Sequence, residues 1–398
     1  MPAKPKIYDT LLFFALLSGP PKLRVRDPLE SLDNVVDWAV LLNLGVWVCG
    51  AAWVLARIVD VFVFEKRMPA FNVSTVFGAM FVGTLFLSLI TSAAPLLTLY
   101  RSLQVAVALL FCFYWVADFG VDSALRNLFW GLVFCALMIL LLAAMDPDAV
   151  FAYNRLMGGV WGSAGSVAAL GCILGICYPL TWAWLRWTLI FVFATILALS
   201  MTRSAYAAVL APLALAFLRG SGARDARRMV WVAFFLLPIA AVFEWAPQWE
   251  TAVLRDTESL ATLSDRLPLW SYLLDEWWDR SPWFGLGFFA IRDIVLAYNP
   301  GIGTAHSGYV EVLAGAGILG FAAYCVVVIY QLNMVRRVLS GGLVGPEVFA
   351  AASLFFGVLL LGVTSEDSII ASPVSFTFWL TVAMLPTLAR QKSAQALR

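Results

Sequence analysis

The sequence predicts an all-α, polytopic membrane protein with about twelve transmembrane helices. Its composition is 62% hydrophobic and only 13% charged, whereas soluble domains average roughly 25% charged residues. Apolar runs near the length of about 20 residues that a bilayer core requires recur along the whole chain. Because no polar stretch of domain size interrupts these runs, we expect residues 1–398 to form a single transmembrane domain.

The spans follow from the apolar runs in chain order. They cover roughly 7–19, 35–58, 71–91, 96–117, 124–145, 161–179, 183–200, 203–219, 229–246, 306–333, 347–364 and 371–389. The first run is short and the pair around residue 201 is nearly continuous, so eleven spans also fit the pattern. The first run resembles a signal peptide but is followed by Ser18-Gly19-Pro20-Pro21 in place of a small-residue cleavage site, so we expect it to be retained.

The arginines and lysines between the runs predict the orientation in the membrane. Positive residues favour the cytoplasmic side, and the strongest group lies at 219–228. The connection at 20–34 is also basic, which does not fit its predicted position outside the cytoplasm, but acidic residues in it offset part of the positive charge. The pattern predicts an inner-membrane protein with cytoplasmic N and C termini. The segment 247–305 then becomes a large loop outside the cytoplasm, in the periplasm if the host is Gram-negative.

The composition argues against a nucleic-acid partner, a metal site and a disulfide framework. The net charge of +1 argues against nucleic acid, which requires a basic surface. All six cysteines lie in apolar runs without a CxxC pair, and the chain has one histidine. We therefore expect neither a metal site nor a disulfide framework.

The large loop contains an amphipathic helical pattern. Trp270, Leu273, Leu274, Trp277 and Trp278 form an apolar face, and acidic residues lie opposite. Such a helix typically lies in the membrane interface with its aromatic rings at headgroup depth. We expect the three tryptophans to face lipid headgroups, either as a simple anchor or as part of a lid that holds Arg266 over a lipid-linked substrate.

Three residues on the predicted outer face could carry chemistry. His306, the single histidine, stands where the loop meets an apolar run, and an imidazole is well suited to proton transfer near neutral pH. Arg203 and Arg266 carry planar guanidinium groups that suit phosphate oxygens. The alternatives are an interfacial histidine without chemistry, and arginines that contact lipid headgroups or nearby carboxylates.

Two further motifs are weaker. Gly315-Ala316-Gly317-Ile318-Leu319-Gly320 matches G-x-G-x-x-G, but it lies inside an apolar run without the βαβ unit that a dinucleotide site requires. We therefore interpret these glycines as close helix–helix packing. Glu366 and Asp367 could orient the histidine or an acceptor sugar, although an ordinary solvated loop is the simpler interpretation.

The order of these pieces resembles the O-antigen ligase and O-antigen polymerase family of bacterial membrane glycosyltransferases. The resemblance covers about 200–320, and the rest of the chain agrees only in span count and topology. Its residues are Thr202-Arg203-Ser204, Arg266 with Trp270, Pro282 with Gly285 and Gly287, and His306, Tyr309, Leu313, Gly317 and Gly320.

The resemblance implies an inverting glycosyltransferase of the GT-C type that uses neither metal nor cofactor. It would move a glycan from undecaprenyl diphosphate to a saccharide or lipid-linked glycan acceptor at the periplasmic face. Arg203 and Arg266 would bind the diphosphate, Tyr309 would contact substrate, and His306 would be the general base. Ser307 follows the histidine where many members have Asn, and this favours the exopolysaccharide polymerase branch over the lipopolysaccharide ligases.

Two other classes remain open from the residues. A transporter or flippase for a lipid-linked or anionic substrate would also use buried arginines and broken helices. The span pattern shows no inverted repeat, however, and the polar residues gather at one face. A membrane scaffold for a polysaccharide machine, with the polar loop as its docking surface, is the third possibility.

Overall fold

The computed structural model describes residues 3–18, 38–64, 72–145, 151–152, 155–156, 163–179, 182–200, 202–212, 215, 266–299, 305–340, 344–364 and 372–396. Its helices are α1 (Ile7–Ser18), α2 (Trp38–Val59), α3 (Val73–Leu87), α4 (Pro95–Met145), α5 (Ala164–Cys177), α6 (Ala183–Ser200), α7 (Arg203–Val209), α8 (Arg266–Arg280), α9 (Arg292–Tyr298), α10 (Gly308–Leu339), α11 (Pro346–Thr364) and α12 (Pro373–Ala396). A π-helical turn extends α2 over Asp60–Phe64, and a 3-10 turn extends α3 over Ser88–Ile90.

The described part of the chain is almost wholly helical, and this confirms the predicted fold class. The exception is a short antiparallel pair, β1 (Phe151–Ala152) with β2 (Arg155–Leu156). Six helical stretches within the described ranges are long and apolar enough to cross a membrane, and α1 and α5 are shorter apolar helices. The predicted run 229–246, the arginine cluster at 219–228, the loop residues 251–265 and the acidic pair 366–367 lie outside the described residues. The count of twelve spans therefore stays a prediction.

Helix α4 is two spans joined end to end. Its 51 residues would extend to about 75 Å as one straight helix, more than twice the thickness of a bilayer core. Gly120 divides it, because its φ of 80° lies in the left-handed region that glycine adopts without steric cost. The two halves correspond to the predicted runs 96–117 and 124–145.

The centre of the bundle is aromatic. Helix α4 packs against α1, α2, α3, α5 and α12, while α10 contacts α3, α11 and α12. Phe13 of α1 lies 4.7 Å from Trp115 of α4 and 4.9 Å from Phe376 of α12, measured between ring centroids. The outer surface is also apolar: Leu41, Val48 and Leu55 recur every seven residues on α2 and are exposed. A row of exposed aliphatic side chains on one helix face suits contact with lipid.

Helix α10 also contains a break. Gly317 has φ 70° and ψ −173°, a backbone conformation that is essentially restricted to glycine. Residues 308–316 therefore form a short first half of about 13 Å, and residues 318–339 form a second half long enough to span the bilayer. The sequence predicted one unbroken run over 306–333, so the division at Gly317 corrects that expectation.

Candidate active site

The segment between α8 and α9 lies against the break in α10. The amides of Leu286 and Gly287 donate to the carbonyl oxygens of Ala314 and Gly315, at 2.8 and 3.0 Å. In return, Pro282 O and Trp283 O accept from the amides of Ile318 and Leu319, at 2.9 and 3.3 Å. The backbone groups released by the break thus find protein partners, as irregular backbone within a membrane protein requires.

The glycines of this region permit two backbones to touch. A Cβ at Gly317 would overlap the carbonyl of Trp283, and a Cβ at Gly285 would overlap Gly315. The G-x-G-x-x-G motif is therefore a site of helix–loop contact and helix breakage. The interpretation as helix–helix packing was wrong for Gly315 and Gly317, because their neighbours belong to the segment before α9.

Helix α8 forms as the sequence predicted, but its apolar face packs on protein. Leu269, Leu273 and Trp277 are buried at spacings of four residues, in a small core with Val295 of α9 and Ala314 of α10. Trp277 is only 7% exposed, whereas its neighbour Trp278 is 62% exposed. The expectation that Trp277 faces lipid headgroups was therefore wrong. That the helix lies in the membrane interface stays a prediction.

Trp270 connects α8 to the residue before the histidine. Its indole Nε1–H donates to Ala305 O at 2.7 Å. Arg266 precedes Trp270 by four residues, so the two side chains lie on the same face of α8. The structure thus places the α8 face that bears Arg266 beside the chain segment that bears His306.

His306 itself is held at the entrance of α10. Its φ of 52° lies in the left-handed region, which histidine tolerates better than most residues. Ser307 is the N-cap of α10 and is buried, while His306 is half-buried. The imidazole therefore stands at the N-terminus of the short first half of α10, on a backbone that the Ala305–Trp270 hydrogen bond restrains.

Tyr309 lies one turn further along α10. Its hydroxyl donates to Leu359 O of α11 at 2.8 Å, and its ring lies edge-on to Tyr324. This hydroxyl ties α10 to α11 in the structure described here. A contact between Tyr309 and substrate stays a prediction.

Arg203 is the first residue of α7. The turn that precedes it rests on α5, because a Cβ at Gly165 would come within 2.7 Å of Thr202 Cβ. Helix α7 packs against α11, the helix that accepts the Tyr309 hydrogen bond. The backbone of Arg203 therefore begins a helix that reaches α10 through α11, and a role for this arginine in diphosphate binding stays a prediction.

A charged cluster that the sequence reasoning missed lies at the same end of the bundle. Glu311 is in the first turn of α10, is 1% exposed, and donates its amide to Ser307 O at 2.9 Å. Its charge attracts Arg101 of α4, which Arg292 of α9 in turn repels. The guanidinium of Arg101 also lies 5.8 Å from the ring centroid of Phe289, a residue with φ 62°. Three ionisable side chains from three helices thus interact electrostatically near the entrance of α10.

Arg101 is the first member of a series of side-chain hydrogen bonds that ends at Asn43 of α2. Its Nη1 donates to Gln104 Oε1 at 2.9 Å, Gln104 Nε2 donates to the Tyr100 hydroxyl at 2.9 Å, and that hydroxyl donates to Asn43 Oδ1 at 2.7 Å. Such a chain of hydrogen bonds inside an apolar bundle fixes the orientation of its members.

Arg292 is the cation of this cluster that lies outside the membrane spans. Burial lowers the pKa of Arg292, and the neighbouring carboxylate of Asp293 acts in the opposite direction. An arginine keeps its proton at neutral pH even so. The cluster therefore offers two guanidinium charges and one carboxylate.

The signal that would have identified the cluster was present in the sequence. Arg101 and Glu311 are ionisable residues inside predicted spans, and such residues are functional candidates by default. Their electrostatic interaction was not readable, because more than two hundred residues separate them in the sequence.

These features define a helical membrane protein with several polar and ionisable residues near the entrance of a broken helix, α10. A family model described as O-antigen ligase matches residues 188–325. The match supports the predicted O-antigen ligase and polymerase family, and it includes Arg203, Arg266, His306 and Tyr309. A comparison with curated proteins finds no match. The match supports a membrane glycosyltransferase-like ligase or polymerase role in polysaccharide biosynthesis.

Proposed function

We propose that this protein transfers a glycan from undecaprenyl diphosphate to a hydroxyl of a saccharide or lipid-linked glycan acceptor. The reaction takes place at the periplasmic face of the bacterial inner membrane, inverts the anomeric configuration and needs no metal or cofactor. The observation that supports it most directly is the Trp270–Ala305 hydrogen bond, which joins the α8 face bearing Arg266 to the segment bearing His306. Both residues lie in the stretch that matches the O-antigen ligase family.

The chemistry assigns separate tasks to these residues. The acceptor oxygen attacks the anomeric carbon, the bond from that carbon to the diphosphate oxygen breaks, and the diphosphate leaves with the electron pair. Arg203 and Arg266 bind the diphosphate and stabilise its developing negative charge, as fixed cations do in a preorganised site. The neutral imidazole of His306 accepts the proton of the attacking hydroxyl.

The lipid environment suits such a donor. The exposed aliphatic face of α2 borders the end of the bundle where Asn43, Tyr100 and Arg101 meet. A polyprenyl chain can stay in the bilayer while its diphosphate and sugar reach the polar end. The orientation that puts this end in the periplasm, with both termini in the cytoplasm, belongs to the proposal.

The proposal favours a polymerase over a lipopolysaccharide ligase. The support is the sequence His306-Ser307-Gly308-Tyr309, in which Ser307 replaces the Asn of many family members. In the structure Ser307 occupies the N-cap position of α10 and is buried, so this replacement lies directly beside the proposed base. The product distinguishes the branches: a polymerase yields a ladder of repeat units on the lipid, and a ligase yields one glycan on a lipid A-core acceptor.

The test is transfer by the purified full-length protein in lipid nanodiscs, with lipid-linked glycan from the producing strain as donor. The parent protein should transfer glycan in the presence of a chelator. His306→Ala and His306→Gln should transfer roughly 10²- to 10⁴-fold more slowly, the usual contribution of a general base. Near-parental turnover by His306→Ala would exclude its role as the base. Loss of transfer with chelator, restored by a metal, would exclude the metal-independent mechanism.

A transporter is the second candidate, because the break in α10 is a feature that substrate-binding transporter helices share. The same preparation separates the two. Movement of the lipid-linked glycan across the bilayer without formation of a new glycosidic bond would identify a flippase and refute the transfer reaction.

A further inference from the structure

A cavity of about 420 Å³ lies on the flank of α8 that turns away from Trp270. Tyr272 follows Trp270 by two residues, which places its side chain about 200° around the helix. The walls come from α8, α9, the segment 286–290 and the chain between α3 and α4. The polar side chains that line the cavity are Thr91, Tyr272, Arg280, Ser281 and Asp293.

We propose that this cavity is a saccharide subsite that binds the glycan at sugar rings remote from the reacting one. The inference rests on the proposed function and extends it, because it assigns a location to part of the glycan. Its volume is within the range of about 300–1,000 Å³ that small-molecule sites occupy.

The lining suits a polyhydroxylated ring. Tyr272 offers an aromatic surface for the C–H face of a sugar, and the ring of Tyr298 packs against it with centroids 5.1 Å apart. The Ser281 hydroxyl can donate and accept hydrogen bonds, as sugar hydroxyls do, and the Thr91 hydroxyl, which donates to Gly285 O, can still accept one. Leu286 and Ile294 contribute apolar side chains to the lining of the cavity.

The charge of the cavity distinguishes a sugar from the diphosphate. Arg280 and Asp293 contribute one positive and one negative charge, and Arg280 Nη2 is already 2.6 Å from Glu276 Oε2. A diphosphate would require unopposed cations. A guanidinium and a carboxylate together instead match the donors and acceptors of neighbouring sugar hydroxyls.

The cavity is preformed. The amide of Leu286, which lines the cavity, donates to Ala314 O of α10. The Thr91 hydroxyl donates to Gly285 O at 2.6 Å. Because hydrogen bonds already hold the backbone at Gly285 and Leu286, this part of the lining loses little conformational freedom when a ligand binds.

Its location relative to the proposed active site follows from α8. Tyr272 lies six residues after Arg266, about 9 Å along the helix axis, and the opposite flanks of a helix are about 10–12 Å apart. A glycan of several rings can extend over this distance. The cavity therefore holds sugars beyond the one that reacts at His306.

The test measures binding to the full-length protein in nanodiscs. The probe is a series of oligosaccharides of increasing length, prepared by partial hydrolysis of the producing strain's own surface polysaccharide. Asp293→Asn should weaken binding of the longer oligosaccharides by about tenfold or more, as expected for loss of a charge-assisted contact. Tyr272→Ala should weaken it by a similar factor, because it removes the aromatic surface on which a sugar ring packs. Tyr272→Phe keeps the ring and should bind like the parent. Asp279→Asn, an exposed acid on α8 outside the cavity, is the matched control.

Transfer kinetics separate this inference from the proposed function. The two cavity variants should raise the KM for long acceptors while kcat stays near the parental value. If the parent transfers glycan and neither Tyr272→Ala nor the isosteric Asp293→Asn changes binding or KM, the subsite is refuted while the proposed function stands. If the parent binds oligosaccharides in a Tyr272-dependent manner without transferring glycan, the subsite stands and the proposed function is refuted.

Discussion

Gly317, at the break in α10, offers a direct test of how the entrance to this helix is built. We predict that Gly317→Ala destabilises the protein and reduces transfer. The backbone at φ 70° and ψ −173° is essentially restricted to glycine, and holding another residue there costs about 1–3 kcal/mol. The new Cβ would also overlap the carbonyl of Trp283.

Relief of that overlap disturbs two hydrogen bonds. Trp283 O accepts from Leu319 N at 3.3 Å and Pro282 O accepts from Ile318 N at 2.9 Å. Each contributes about 0.5–1.5 kcal/mol net, and more where a buried partner is left unpaired. Together with the backbone strain, the cost reaches about 2–6 kcal/mol.

The assay is thermal unfolding of parent and variant in the same detergent, with glycan transfer measured in parallel. Gly83→Ala is the control, because this helical glycine of α3 has open space where a Cβ would lie. An alanine there should leave stability unchanged or raise it by about 0.5–1 kcal/mol. A parental unfolding temperature in Gly317→Ala would refute the argument from the break.

Three further predictions concern the proposed site and its side of the membrane. Trp270→Phe removes the hydrogen bond to Ala305, so turnover should fall severalfold while the unfolding temperature changes little; unchanged turnover would show that this contact does not position His306. Arg203→Lys and Arg266→Lys keep the charge but lose the planar pair of donors, so each variant should transfer glycan more slowly than the parent. A fully active lysine variant would show that the arginine at that position does not bind the diphosphate. Thr257→Cys should react in intact cells with a thiol reagent that cannot cross the inner membrane, above the background of the six native cysteines, and labelling only after lysis would reverse the proposed topology.

Most of the helical architecture was predictable from composition and run length. The apolar runs 71–91, 183–200 and 347–364 correspond to α3 with its 3-10 turn, to α6 and to α11. These predictions succeed because a helix that crosses a bilayer must satisfy its own backbone and present apolar side chains over a fixed length. The amphipathic pattern of α8 was equally readable, since side chains spaced by three and four residues share one helix face.

What α8 packs against was not readable. An apolar face fits a lipid interface and a protein core equally well, and burial of Trp277 depends on α9 and α10, which lie elsewhere in the sequence. The glycines of α10 present the same problem. Their pattern indicates close contact, but the identity of the contacting backbone, Pro282 to Gly287, depends on how the loop returns to the bundle.

The candidate site divides in the same way. The candidates for the proposed transfer, His306, Arg203 and Arg266, came from the sequence by itself, because a lone imidazole and planar guanidinium groups stand out in an apolar chain. Only the tertiary structure decided that Trp270 links α8 to Ala305 and that the charges of Arg101 and Glu311 interact. The physical reason is that side-chain chemistry and helix periodicity are local properties. The contacts of α8 with α9 and α10 depend instead on packing between segments of the folded chain, which local patterns do not encode.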